Sequence, residues 1–163
     1  MVLRVTNKLA KKLKITPSRD YTNQINPFQE WYGHLFIFNR IQYIIFTNAY
    51  TLYSAVVPGK GIINTRTFID FTGYWLNEAL KADGCENIMK QFITPCFEDI
   101  DLCKTNNRHV IGSMNEMINF SRFFFAERSS SPAEVSKYIN SLIYGYIKYE
   151  TPLSLIRQIA AIK

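Results

Sequence analysis

The chain opens with "VLRVT", a weak alternation of apolar and polar positions that predicts a short strand. Thr6 can then cap a helix through about Leu13, which leaves Leu9 and Leu13 one turn apart on a single face. Residues 15 to 27 carry turn formers and no period, so they read as a loop. Three runs follow, "EWYGHLFIF", "IQYIIFT" and "TLYSAVV", dense in aromatic and β-branched residues. Asn39-Arg40 and Asn48-Ala49 lie at short turns between them, and short connections imply an antiparallel meander. Both alternating faces are apolar. Trp31, Leu35 and Ile37 share one face with Gly33, and Tyr32, Phe36 and Phe38 share the other with His34. Helices or a second subunit must therefore cover the sheet on both sides. "PGKGIINT" ends the meander. Its Gly59-Lys60-Gly61 lacks the spacing of a phosphate loop and reads as a plain turn.

From there the period becomes helical. In "TFIDFTGYWLNEALKADG", Phe68, Phe71, Trp75, Leu76 and Leu80 fit 3.6 residues per turn, and Gly84 is a natural stop. "ENIMKQFI" predicts a shorter helix ended by Thr94-Pro95, and "CFEDIDLCKT" is ambiguous. A long helix starts near Asn107 and runs to about Glu127. Its buried stripe is Val110 or Ile111, Met114, Met117 or Ile118, Ser121 and Phe124 or Phe125. A serine caps the next helix, with Pro132 at its first position, and the pattern carries that helix to about Tyr149. Pro152 breaks it before a short apolar helix. These elements predict an α+β fold: an antiparallel β-meander of three or four strands packed against four to six helices. They form one domain over 1–163, with 1–63 mostly strands and 64–163 helical.

Composition narrows the class. Among 163 residues, 47% are hydrophobic and 15% aromatic, which supplies a sizeable core and argues against disorder. No apolar run approaches the ~18 residues of a membrane span, and lysines occupy the place of a signal peptide's apolar stretch. A cytoplasmic location and no membrane partner are expected. Cys85, Cys96 and Cys103 match neither a disulfide framework nor a C-x-x-C zinc site, so they read as reduced structural thiols. The net charge of +6 permits nucleic acid or acidic partners without requiring them. It gathers at the N-terminus, in Arg4, Lys8, Lys11, Lys12, Lys14 and Arg19. Glu98, Asp99 and Asp101 form an acidic cluster that could contribute metal ligands, although an exposed turn explains it more simply.

The densest chemistry lies in "TNNRHVIGSMNEM", residues 105 to 117. His109, Ser113 and Glu116 share a helical face at spacings of four and three. Such neighbours arise from helix geometry alone, and no strained G-x-S-x-G elbow presents Ser113. Catalysis is therefore not assigned there. The first turn of this helix, with Asn106, Asn107, Arg108 and His109 around it, can instead hold an anion. Capping by Thr105 or Asn107 is the simpler role. Gly112 costs about 1 kcal/mol of helix stability relative to alanine, which suggests a close approach by neighbouring backbone.

"LRVTNKL", "WYGHLFIF", "FTNAYTL" and "TNNRHVIGSMNEM", in that order, resemble a family of small uncharacterised bacterial proteins classed as a domain of unknown function. The resemblance covers residues 3 to about 125. It implies a shared surface among Arg4, Thr6, Asn48, Asn107, Arg108, Gly112, Ser113 and Asn115. His109 stands where the family commonly has serine, which weakens a catalytic role for it. The resulting expectation is a non-enzymatic bacterial cytoplasmic binding or interaction module with an anionic or protein partner, a homodimer included, and without a cofactor. Its site candidates are Arg4, Asn107, Arg108 and Asn115. The alternatives are a metal-assisted phosphodiester hydrolase using Glu98, Asp99 or Asp101, and a nucleic-acid-binding protein using the basic N-terminal face. A pocket lined by Arg4, Asn107, Arg108 and Asn115 would mark the motif as functional. Hydrogen bonds from Arg108 and Asn115 to meander carbonyls would mark it as structural.

Overall fold

The computed structural model describes residues 1–18, 26–62 and 64–161. The loop expected over 15–27 falls mostly on residues outside that set, as does Arg19 of the basic N-terminal group. Strand β1 (Val2–Val5) leads into helix α1 (Asn7–Leu13), and β2 (Glu30–Phe38), β3 (Ile41–Asn48) and β4 (Ser54–Pro58) follow. Next come α2 (Thr65–Ala82), α3 (Glu86–Ile88) and β5 (Asp101–Lys104). Helices α4 (Arg108–Arg128), α5 (Pro132–Asn140) and α6 (Pro152–Ala161) close the chain.

The five strands form one sheet in the order β4-β3-β2-β1-β5. The expected meander is present as the antiparallel pairs β2–β3 and β3–β4. Asn39 and Arg40 both take positive φ at its first turn, the backbone that a two-residue hairpin needs. The sheet as a whole is mixed rather than antiparallel, because β1 pairs in parallel with both β2 and β5. The reason is the crossover. A strand that leaves through a helix returns in the same direction, whereas only a tight turn reverses it. The ambiguous stretch before residue 105 supplies β5.

Helices cover both faces, as the two-sided apolar pattern requires. On one face Leu3, Trp31, Leu35, Ile44 and Phe46 pack with Leu9 of α1, with Phe68, Leu76 and Leu80 of α2, and with Ile156 of α6. Gly33 lets α1 lie close, since a Cβ there would stand 3.0 Å from Leu9 Cδ2. On the opposite face Tyr32, Phe36, Tyr43 and Ile45 pack with Val110, Met114, Met117 and Phe125 of α4 and with Val135 and Ile139 of α5.

Three expectations change. Thr6 occupies the cap position of α1 but its hydroxyl caps nothing, and among the described residues its Oγ1 is buried without a partner. Gly112 has open space where a Cβ would point, so no close backbone approach explains it. Helix α5 ends at Asn140 instead of continuing to Tyr149. The Asn140 side chain is used across the chain: its Oδ1 accepts from Ser54 N (2.8 Å) and its Nδ2 donates to Ser54 O (2.7 Å). Lys148 and Tyr149 then turn with positive φ. Ser136, one turn earlier on α5, accepts from Val56 N at 2.8 Å. The outward backbone groups of the β4 edge are thus satisfied by side chains.

Candidate functional site

A cleft of about 570 Å³ opens at the end of the sheet where β2 begins and β3 ends. Four chain segments build it. Asn26, Pro27, Glu30 and Tyr32 come from the start of β2, and Ala49 and Tyr50 from the turn after β3. Asn106 to His109 come from the start of α4, and Tyr146 from the turn after α5.

Asn48 holds the floor. It is fully buried. Its Nδ2 donates to the carbonyls of Pro27 (2.8 Å) and Glu30 (3.3 Å), and its Oδ1 accepts from Tyr50 N (3.2 Å), Thr51 N (2.9 Å) and Thr51 Oγ1 (2.9 Å). One amide therefore ties the entry of β2 to the turn after β3, and every polar atom it buries is matched. Asn48, which the resemblance placed on the shared surface, is a support beneath the cleft.

The wall formed by α4 is set by Asn107. It is the N-cap residue, with Oδ1 accepting from His109 N (3.0 Å) and Val110 N (3.3 Å). Its Nδ2 donates to the Tyr146 hydroxyl at 3.1 Å, and the His109 ring stacks on Tyr146 with centroids 5.8 Å apart. Tyr32 donates to Asn106 Oδ1 at 2.6 Å. Burial raises the Tyr32 pKa, and the Glu30 charge raises it further against the opposing effect of Arg4, so the hydroxyl keeps its proton at neutral pH. Asn26 Oδ1 accepts from Phe28 N at 3.0 Å.

These bonds leave the cleft with an uneven supply of hydrogen-bonding groups. The oxygens of Asn26, Asn106 and Asn107 all accept internal bonds; the Asn107 amide N–H also bonds Tyr146, which leaves the N–H groups of Asn26 and Asn106 as the free ends among the described residues. Arg108 is exposed, and among the described residues no hydrogen bond or ion pair engages its guanidinium. Among the described residues Glu30 is the one carboxylate lining the cleft. The arrangement favours a ligand rich in acceptors.

The four site candidates part company. Asn107 and Arg108 line the cleft. Arg4 stands behind it, buried, donating through Nε to Glu30 Oε1 and through Nη1 to Lys104 O (3.0 Å). Asn115 is exposed two turns along α4 and does not line the cleft. Among the described residues neither Arg108 nor Asn115 bonds a meander carbonyl. Ser113 lies among the buried residues of α4 while Glu116 is exposed, so the two face different surroundings.

The other candidates lie apart. Glu98, Asp99 and Asp101 are exposed, and among the described residues no group of three or more His, Cys, Asp or Glu gathers as a metal site would. Lys8, Lys11 and Lys14 are exposed around α1, Lys12 reaches Gln42 Oε1 at 2.6 Å, and Arg4 does not join that surface. The three cysteines are free thiols, Cys85 and Cys103 buried. Among the described residues no helix is long and apolar enough to cross a membrane.

A family model described as a domain of unknown function, DUF6933, matches residues 2–155. The chain belongs to this family. The match takes in all five strands and reaches past residue 127 through α5 into α6, so the family's shared unit includes Tyr146 as well as the start of α4. No curated protein matches the chain.

Sequence reasoning grouped Asn106, Asn107, Arg108 and His109 at one site but did not find Glu30, Tyr32, Tyr50 or Tyr146 as parts of it. The available signal was positional. Asn26-Pro27 and Asn48-Ala49 both mark strand ends, and the meander puts those ends together.

Proposed function

We propose that the protein is a non-enzymatic binding module of a bacterial cytoplasm and that its ligand carries an oxyanion held in the cleft at the start of α4. The observation that carries this reading is the donor surplus. The Arg108 guanidinium, free among the described residues, lines one cleft with the side-chain amides of Asn26 and Asn106, whose oxygens already accept bonds. Oxyanions are pure acceptors, and guanidinium–oxyanion bonds are among the stronger hydrogen bonds in proteins. The positive end of the α4 dipole adds to the same preference, although Asn107 already serves two of its N–H groups. The three free thiols fit a reducing compartment.

The test is calorimetric titration of the full chain with inorganic phosphate and pyrophosphate. Binding should weaken about ten- to hundredfold in Arg108→Ala, the loss expected for charge-assisted hydrogen bonds, and stay unchanged in Asn115→Ala. Absence of binding to either anion, or equal binding by Arg108→Ala, overturns the reading.

A further inference from the structure

We infer that the ligand is a mononucleotide whose base carries an exocyclic amino group, with its phosphate at Arg108 and its base against Glu30. This rests on the cleft being an oxyanion site and adds what the rest of the ligand must be. Three observations lead there.

The first is size. At about 570 Å³ the cleft lies within the ~300–1,000 Å³ usual for small-molecule sites, far more room than a bare phosphate fills. An oxyanion alone would leave most of it to water, so the ligand has a body.

The second is the character of the walls. Tyr50 is 55% exposed and Tyr146 41% exposed, and the Tyr146 ring is already stacked flat on His109. Pro27 and Ala49 add apolar surface. Exposed rings at a cleft mouth suit a planar body, because any base presents a π-face to stack.

The third is Glu30. It is the exception in a donor-rich cleft, and it is held there deliberately. Arg4, 2% exposed, takes Oε1 and is itself fixed by the Lys104 carbonyl. No donor among the described residues takes Oε2. An acceptor positioned by a buried arginine calls for a donor on the ligand, and it would repel a second anionic group. An exocyclic amino group on a nucleobase supplies that donor, as cytosine and guanine do for carboxylates elsewhere.

The experiment is titration of the full chain with GMP, AMP, CMP, UMP, guanosine and inorganic phosphate. GMP, AMP and CMP should bind at least about tenfold tighter than phosphate and than UMP, whose base lacks the amino group. Arg108→Ala should reduce GMP to the affinity of guanosine. Glu30→Gln should erase the preference over UMP while phosphate binding persists. Because Glu30→Gln also disturbs Arg4, its melting curve is compared with the parent, and Tyr50→Ala provides a second variant at an exposed position. Tyr50→Ala should weaken GMP about tenfold and leave phosphate untouched. If nucleotides bind no tighter than phosphate, or UMP binds as well as GMP, the nucleotide inference falls and the oxyanion site stands. If phosphate, pyrophosphate and nucleotides all fail to bind, both fall.

Discussion

Strand β2 and helix α4 pack against one another, and their two ends are closed in opposite ways. At one end Phe125 stacks on Tyr43 (4.6 Å) and Phe38 (5.6 Å), and Phe36 stacks on Tyr43 (5.5 Å). That end is shut by rings. At the other end the same two elements meet through Tyr32–Asn106 and the Asn107 cap, around open space. Ring stacking needs no exact partner atoms and excludes water. Hydrogen bonds fix geometry while leaving unused donors free. A helix that must be both anchored and useful can divide these tasks between its ends.

The strongest challenge to that division is Phe125→Ala. It should cost about 3 kcal/mol, the low end for a phenylalanine truncation because the site lies near the rim, and chemical denaturation would measure it. Oxyanion binding should survive. Loss of binding at native temperature would show that the shut end also shapes the open one.

Asn48→Ala comes next, at about 2–3 kcal/mol, since it strands buried backbone groups of two segments. Here stability and binding should fall together, because one amide holds both sides of the cleft floor. Asn107→Ala should cost about 1 kcal/mol as a lost cap and loosen Tyr146, a loss readable in a thermal melt. Gly112→Ala runs the other way. Nothing lies within 4 Å of the added Cβ, so the variant should gain up to about 1 kcal/mol with binding unchanged.

The smallest effect concerns His34, midway between the two ends. Burial, then Lys8 and Arg122, lower its pKa in the folded state. Unfolded chains take up the proton near the ordinary histidine value of about 6.5, before folded ones do. Stability is therefore full above that value and is lost as pH falls towards and through the lowered folded value. Melting temperature should drop over this window, and His34→Gln should flatten the slope.

The shut end was the more legible in sequence. Phe36, Phe38 and Tyr43 sit in runs whose character is unmistakable, and the α4 stripe named Val110, Met114, Met117 and Phe125 as alternatives or outright. The helix start at Asn107 was legible for the same reason, since a cap is local chemistry. Strand β1 was legible in "VLRVT", but its parallel pairing and strand β5 were not, because β5 is four residues long and pairing across the chain leaves no local period. Helix α5 was drawn too long because Leu142, Ile143 and Tyr146 continue its spacing, while Asn140 obeys a bond to Ser54 that only the fold reveals. The open end suffered most. Its residues come from four segments, and Glu30 gains its meaning from Arg4, twenty-six positions away.

Ser136 and Asn140 carry a consequence for the chain at high concentration. A sheet with bare edges is a template on which another copy can grow, and β4 is an outer strand of this one. Two side chains one helical turn apart stopper it, occupying the groups a recruited strand would need. Exposing that edge would take only the nine residues of α5 lifting away, an event far smaller than unfolding the whole protein.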